Sequence, residues 1–260
     1  MKIIHSYFPN TEKKNNVESY LLLSKLSVES ILKFYDNVEL YTTEKNKEIV
    51  EKYGIPYTNI DTKLFDGVDK IKNYALSKIM VYNEQNEPYI HIDYDVVLNQ
   101  KIDFEEQICF GHMDYYDNQF FKFKEEYYLK NYRLIKDLLP DDVKVNVDVN
   151  FIPNFCIFGA KDYNSVKTTF NKILRFYYNN LNLIDGLNYA PSLIEQFLFL
   201  PFYKTSNDLK SENIKIISTH PMLSQYVDWY NIMDIYMPFI HFTDVKNNED
   251  KFKTILKINY

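Results

Sequence analysis

Apolar positions in this chain change spacing several times, and the changes outline alternating strands and helices. Ile3 and Ile4 open a short strand that closes on His5-Ser6-Tyr7, and the polar run 10–16 reads as a loop. From Val17 to Tyr35, the residues Leu22, Leu23, Leu26, Ile31, Leu32 and Tyr35 recur at helical spacing and predict a long amphipathic helix. Val38-Glu39-Leu40-Tyr41-Thr42 is a second strand, so the chain opens as βαβ. A helix over 45–53 meets Gly54 and then Pro56, residues that stop helices. A strand at 57–60, a helix over 69–83 and a strand at Tyr89-Ile90-His91-Ile92 follow, the last ending in Asp93-Tyr94-Asp95.

The second half is less regular. After a strand within 107–112, the stretch 113–142 is rich in Tyr, Phe, Lys and Asp without clean periodicity and reads as a loop and helix insertion. Val143 to Val149 alternates Val with polar residues and predicts an edge or hairpin strand, leading to another at Asn154-Phe155-Cys156-Ile157-Phe158-Gly159. Helices over 162–180 and 191–200 and strands at 213–218 and 240–242 complete the pattern. Such alternation predicts an α/β fold with a mixed, mainly parallel sheet flanked by helices, and ligands beyond the carboxyl ends of the strands. No repeat or linker divides it, so the expectation is one domain over 1–260.

Composition narrows the function classes. Of 260 residues, 46% are hydrophobic and 25% charged, as in globular proteins, and the net charge of −6 argues against nucleic acid as a partner. Cys109 and Cys156 stand far apart, which indicates neither a zinc ribbon nor a disulfide framework; a reducing cytoplasm is the expected setting. The first residues enter a strand at once, so no signal peptide is expected, and no apolar run approaches the roughly 20 residues of a membrane span. Peripheral membrane association stays open, as does the oligomeric state. The 24 Tyr and 19 Phe accompany abundant Lys, Asn and Ile, the usage of an AT-rich bacterial or phage genome.

Asp93-x-Asp95 is the strongest local chemical signal. In a strand alternate side chains share a face, so both carboxylates can offer oxygens to one hard cation. Two Asp residues also begin many solvated turns. His91, two residues earlier, reads as a core histidine. His112, Asp114 and Asp117 read as a solvated loop, and His220 before Pro221 as a turn residue.

Taken with its flanks, this segment resembles the GT-A glycosyltransferases, particularly small bacterial enzymes of capsule and lipopolysaccharide biosynthesis. Ala75-Leu76-Ser77-Lys78 followed by Pro88-Tyr89-Ile90-His91-Ile92-Asp93-Tyr94-Asp95-Val96-Val97-Leu98 is similar to their helix and metal-binding strand. The resemblance implies Mn²⁺ or Mg²⁺ on Asp95, Asp93 touching the ribose or sugar of a nucleoside diphosphate sugar, a UDP-sugar above others, and Lys78 facing that donor. Near the C-terminus, Pro238-Phe239-Ile240-His241-Phe242-Thr243-Asp244-Val245-Lys246 resembles the segment whose His completes the metal shell and whose Lys contacts the diphosphate. Those roles fall on His241 and Lys246, though Asp244 stands where Gly is usual and Lys246 comes one residue early.

Asn154 to Gly159 resembles the strand that borders the acceptor, with Cys156 in place of a small Gly. Glu195-Gln196 resembles the acidic-Gln pair beneath the reacting sugar, which makes Glu195, Gln196 and Asn154 the candidate catalytic residues. His5-Ser6 and Tyr41-Thr42 end the first two strands, where this fold holds the donor's base and ribose. The resemblance implies a nucleotide-sugar-binding half at 1–100, an acceptor-side half with the C-terminal metal-site strand at 101–260, where the loop of His112, Asp114 and Asp117 is open to acceptor contacts, and transfer of a hexose to a glycan or other hydroxyl acceptor. Whether transfer retains or inverts configuration stays open, with Asp148, Glu195 and Asp114 all conceivable bases. Two rivals stand beside it. One is a degenerate relative that binds a sugar or partner without turnover, motivated by Cys156 and the altered His241 to Lys246 spacing. The other is a nucleotidyltransferase, weakened because no glycine-rich loop follows the first strand.

Overall fold

A computed structural model describes residues 1–8, 17–68, 74–114, 122–149, 151–187, 190–206, 213–218 and 238–242. β1 (Lys2–Tyr7), β2 (Glu39–Thr42) and β3 (Asn59–Asp61) alternate with α1 (Val17–Ile31) and α2 (Glu44–Lys52), as the opening pattern predicts. The Thr43 side chain accepts the Asn46 N–H at the start of α2. At its far end Gly54 takes φ of 60° and the Ile55 N–H returns to the Val50 carbonyl at 3.1 Å, closing the helix. α3 (Tyr74–Glu84) and β4 (Tyr89–Ile92) complete this half.

Seven strands form one sheet in the order β3-β2-β1-β4-β7-β6-β8, where β6 is Ile108–Asp114, β7 is Ile152–Ala160 and β8 is Ile214–Ser218. The four strands of the first half are mutually parallel; β7 runs antiparallel to both β4 and β6, and β6 pairs with β8 in parallel. Every residue of β4 and β7 is buried, which accounts for their largely apolar sequences, interrupted by His91 and Asn154. One face of the sheet carries Ile4, Tyr89, Phe110, Phe155 and Phe158 against α3, α6 (Tyr163–Asn179) and α9 (Phe199–Ser206). The other carries Ile3, Ile90 and Ile92 against Val28 and Ile31 of α1 and against a second, two-stranded sheet.

That small sheet pairs β5 (Val96–Leu98) antiparallel with β9 (Phe239–His241). Helix α1 holds it in place: Ser27 Oγ donates to the Val96 carbonyl and Ser30 Oγ accepts the Leu98 N–H at 2.9 Å. Among the described residues no helix is long and apolar enough to cross a membrane.

Two expectations fail. The predicted strand Val143 to Val149 is instead the short helix α5 (Asp141–Lys144) followed by a turn. Pro140 presets the backbone, Asp141 and Asp142 lie in the first turn where the helix dipole favours acids, and Val145 is 81% exposed, so the alternation buries no face. The predicted helix 191–200 is not uniform. A turn at α8 (Ala190–Ser192) runs into a π segment, Leu193–Phe197, before α9 begins. The Leu198 N–H reaches back five residues to the Leu193 carbonyl at 3.0 Å, a widened turn of the kind found at functional sites. The insertion within 113–142 contains α4 (Lys122–Ile135), in keeping with its reading, and the predicted helix 162–180 is α6, followed by the short α7 (Leu181–Ile184).

Candidate active site

β1 has β2 on one side and β4 on the other, so the chain's winding reverses between β1 and β4. In open α/β sheets the carboxyl ends at such a reversal form the ligand crevice. Asp93-Tyr94-Asp95 stands there. The Asp93 N–H continues the ladder by donating to the Cys156 carbonyl at 2.8 Å, and the chain then turns, the Val96 N–H returning to the Asp93 carbonyl at 3.0 Å. The two carboxylates therefore converge through a turn, not through the pleat of a strand. Tyr94 packs edge-to-face on Tyr7, ring centroids 5.4 Å apart.

The turn feeds directly into β5, where Val96 is opposite His241 and the Phe242 N–H donates to the Asp95 carbonyl at 2.8 Å. His241 Nε2 thereby stands 3.5 Å from Asp95 Oδ1. One ligand atom from each of Asp93, Asp95 and His241 lies within 4.8 Å of the others. Two carboxylates and an imidazole suit a divalent cation. Asp95 and His241 are only 2% and 5% exposed, and His241 Nδ1 has no hydrogen-bond partner among the described residues. Burial raises the Asp93 carboxyl above its ordinary value; Lys78 opposes that rise and the Asp95 charge adds to it. A cation would relieve this crowding of like charges, so the residues present fit one.

A second network lies beneath. Lys78 Nζ, on α3, is 2.7 Å from Asp93 Oδ1 and 3.2 Å from Glu195 Oε1. Tyr82, one turn further along the same helix face, donates to Glu195 Oε1 at 3.0 Å. The π segment turns Glu195 into this buried position at 1% exposure. Burial pushes the Glu195 carboxyl up to about 7; Lys78 pulls it down and Asp93 adds to the rise. Tyr82 was not singled out from the sequence, although its spacing from Lys78 was the available signal. Gln196 is held apart from this network, its Oε1 accepting from Tyr128 at 2.8 Å.

His91 is a core histidine, with Nε2 2.9 Å from Ser6 Oγ and Nδ1 3.4 Å from the Tyr82 hydroxyl. Ser6 is thus engaged inside the protein. His5 Nδ1 lies 2.9 Å from the Tyr57 hydroxyl, and burial lowers its pKa to about 3, so the ring is neutral. The Tyr41 hydroxyl accepts from Lys2 at 2.9 Å, and Thr42 Oγ1 donates to the Tyr7 carbonyl and accepts from Asn46. Asn154 Oδ1 accepts the Cys156 N–H at 2.9 Å, a local bond within β7. Lys246, Asp117 and His220 lie outside the described residues.

The architecture matches solved structures. Over 94% of this chain and 98% of the other, it is similar to mouse xyloside xylosyltransferase 1 in its apo form, at 9% identity and a TM-score of 0.52. An active-site mutant of LgtC covers 99% of this chain and 95% of its own, at 10% identity and a TM-score of 0.50. At such identities the likeness is one of fold, and the fold is the GT-A type that the resemblance implies. By sequence the chain belongs to the family described as "Family of unknown function (DUF6734)", which it matches over residues 1–259. Among curated proteins none matches it.

Proposed function

We propose that this chain is a metal-dependent glycosyltransferase that moves a hexose from a nucleoside diphosphate sugar, a UDP-sugar foremost, to a hydroxyl of a glycan or other acceptor. The observation that carries the reading is the convergence of Asp93, Asp95 and His241 at the crevice between β1 and β4. Mn²⁺ or Mg²⁺ bound there supplies Lewis acidity that offsets charge on the departing diphosphate. Asp95 and His241 are its holders. Asp93, kept in place by Lys78, orients the donor, whose base and ribose lie over the ends of β1 and β2 near His5, Ser6, Tyr41 and Thr42. Lys246 meets the diphosphate.

Glu195 faces the reacting side. Held between Lys78 and Tyr82 with its pKa near neutrality, it can keep or release a proton at its carboxyl oxygens and stabilise positive charge developing on the sugar. Gln196 and Asn154 border the acceptor. One of the fold relatives, mouse xyloside xylosyltransferase 1, is a sugar transferase by name, which supports the same class of chemistry. Release of nucleoside diphosphate from a panel of nucleotide sugars, with Mn²⁺ and with chelator, tests the proposal. Metal-dependent release that Asp95→Ala abolishes supports it, and unaltered release by Asp95→Ala contradicts it.

A further inference from the structure

A second set of metal-ligating side chains meets at His241. One ligand atom from each of His112, Cys156 and His241 lies within 4.8 Å of the others, and the three residues are 0%, 1% and 5% exposed. They come from three different strands, β6, β7 and β9.

Local irregularity brings them together. The β6–β7 register slips between Phe110 and His112, and Cys156 and Ile157 of β7 consequently both pack into the same layer, beside β5 and β9. Gly111 lies across from them. A Cβ there would come within 2.6 Å of Cys156 Sγ and 3.3 Å of the Ile157 nitrogen, so the missing side chain leaves the hollow that the sulfur fills. The His112 ring stacks on Phe239 with centroids 6.4 Å apart and stands 6.3 Å from the His241 ring. His241 Nδ1 is buried with no hydrogen-bond partner among the described residues, an acceptor that a metal would satisfy.

One sulfur and two imidazole nitrogens make a softer donor set than the Asp93 and Asp95 carboxylates, and prefer Zn²⁺ to Mg²⁺ or Mn²⁺. Zn–N bonds of about 2.0 Å and Zn–S bonds of about 2.3 Å put ligand atoms roughly 3.5 Å apart in a tetrahedron. Three protein ligands leave a fourth position for water or a ligand.

We infer that His112, Cys156 and His241 form a second cation site, selective for a thiophilic divalent ion such as Zn²⁺. Because His241 belongs to both clusters, an ion at the thiol site takes a donor from the carboxylate site and opposes its use of Mn²⁺ or Mg²⁺. That consequence rests on the transferase reading; the binding itself does not.

Co²⁺ titration of the reduced, metal-free full chain tests the site by absorbance. The expected result is a near-ultraviolet thiolate-to-cobalt charge-transfer band that saturates at one equivalent and is displaced by Zn²⁺. The band should persist in Cys109→Ser and Asp95→Asn and vanish in Cys156→Ser. His112→Ala should weaken Co²⁺ by at least the roughly 10–100-fold that even an outer-shell change costs. A wild-type protein that shows no such band in excess Co²⁺ overturns the inference, as does a band retained by Cys156→Ser. A Cys156-dependent band in a protein that binds no nucleotide sugar upholds this site while removing the transferase reading.

Discussion

His241 Nε2 stands 3.5 Å from Asp95 Oδ1 because Val96 and His241 are directly opposite in the β5–β9 pair. The geometry of the candidate metal site is therefore built by a short ladder that ties the turn after β4 to the far end of the described chain. Asp95→Asn keeps the shape of the side chain and removes its charge. We expect it to lower metal-dependent transfer or donor hydrolysis on the order of 100-fold or more, the scale of lost transition-state charge stabilisation. The fold should persist, with an unchanged far-ultraviolet circular dichroism spectrum.

Lys78 is the cation shared by Asp93 and Glu195, at 2.7 and 3.2 Å. Lys78→Met leaves two largely buried carboxyls without it and should destabilise the protein on the order of 3 kcal/mol, measured by urea unfolding. At alkaline pH, where Glu195 would otherwise be ionised, adding Glu195→Gln to that variant should restore part of the loss, since one of the stranded charges is then gone. Equal stability of Lys78→Met and wild type would show that the bridge is dispensable.

Glu195 makes stability depend on pH in a stated direction. Its carboxyl is raised from 4.5 to about 7, with Lys78, Asp93 and Tyr82 the charged and titratable groups around it. The folded protein therefore holds a proton that the unfolded chain releases between those values. Stability from this group is present at the acid end and is lost as pH rises towards 7. Compared with Glu195→Gln, wild type should lose an additional 1–3 kcal/mol, roughly, between pH 5 and 7.5. Parallel pH profiles for the two proteins would contradict the raised value.

Gly111→Ala places a methyl group 2.6 Å from Cys156 Sγ. We expect overpacking to cost about 1–3 kcal/mol in unfolding free energy. Cys156→Ala removes the opposing sulfur, so the double variant should be more stable than the sum of the single effects predicts, and additive effects would refute the contact.

Where the sequence was informative, physical reasons are visible. β4 is buried on both faces and flanked by Pro88 and the Asp93 turn, so a short apolar run sufficed to locate it. The helices α2 and α6 carry caps, Thr43 and Asp162; α6 adds a clear apolar face, and α2 is closed by Gly54. The apolar run at 240–242 predicts β9, but the three-residue β5 and its pairing with β9 are long-range features that local pattern does not encode. The π turn that buries Glu195 likewise has no local signature. Asp93 and Asp95 were recognised correctly as neighbours, but for the wrong geometric reason, since a turn and not strand pleating joins them. Cys156 looked like a departure from the family's strand; Gly111 on the adjacent strand supplies the space it needs.

Thermal unfolding across a matrix of divalent cations and nucleotide sugars tests the central claim most directly. If Asp95 and His241 bind a cation that engages a donor diphosphate, with Asp93 orienting the donor beside it, one nucleotide sugar should stabilise the chain in Mn²⁺ or Mg²⁺ but not in chelator. Ligand at about 100 times its dissociation constant corresponds to about 2.7 kcal/mol of stabilisation, and Asp95→Asn should remove it. Stabilisation of equal size in chelator, or none by any nucleotide sugar in the presence of metal, would contradict the account.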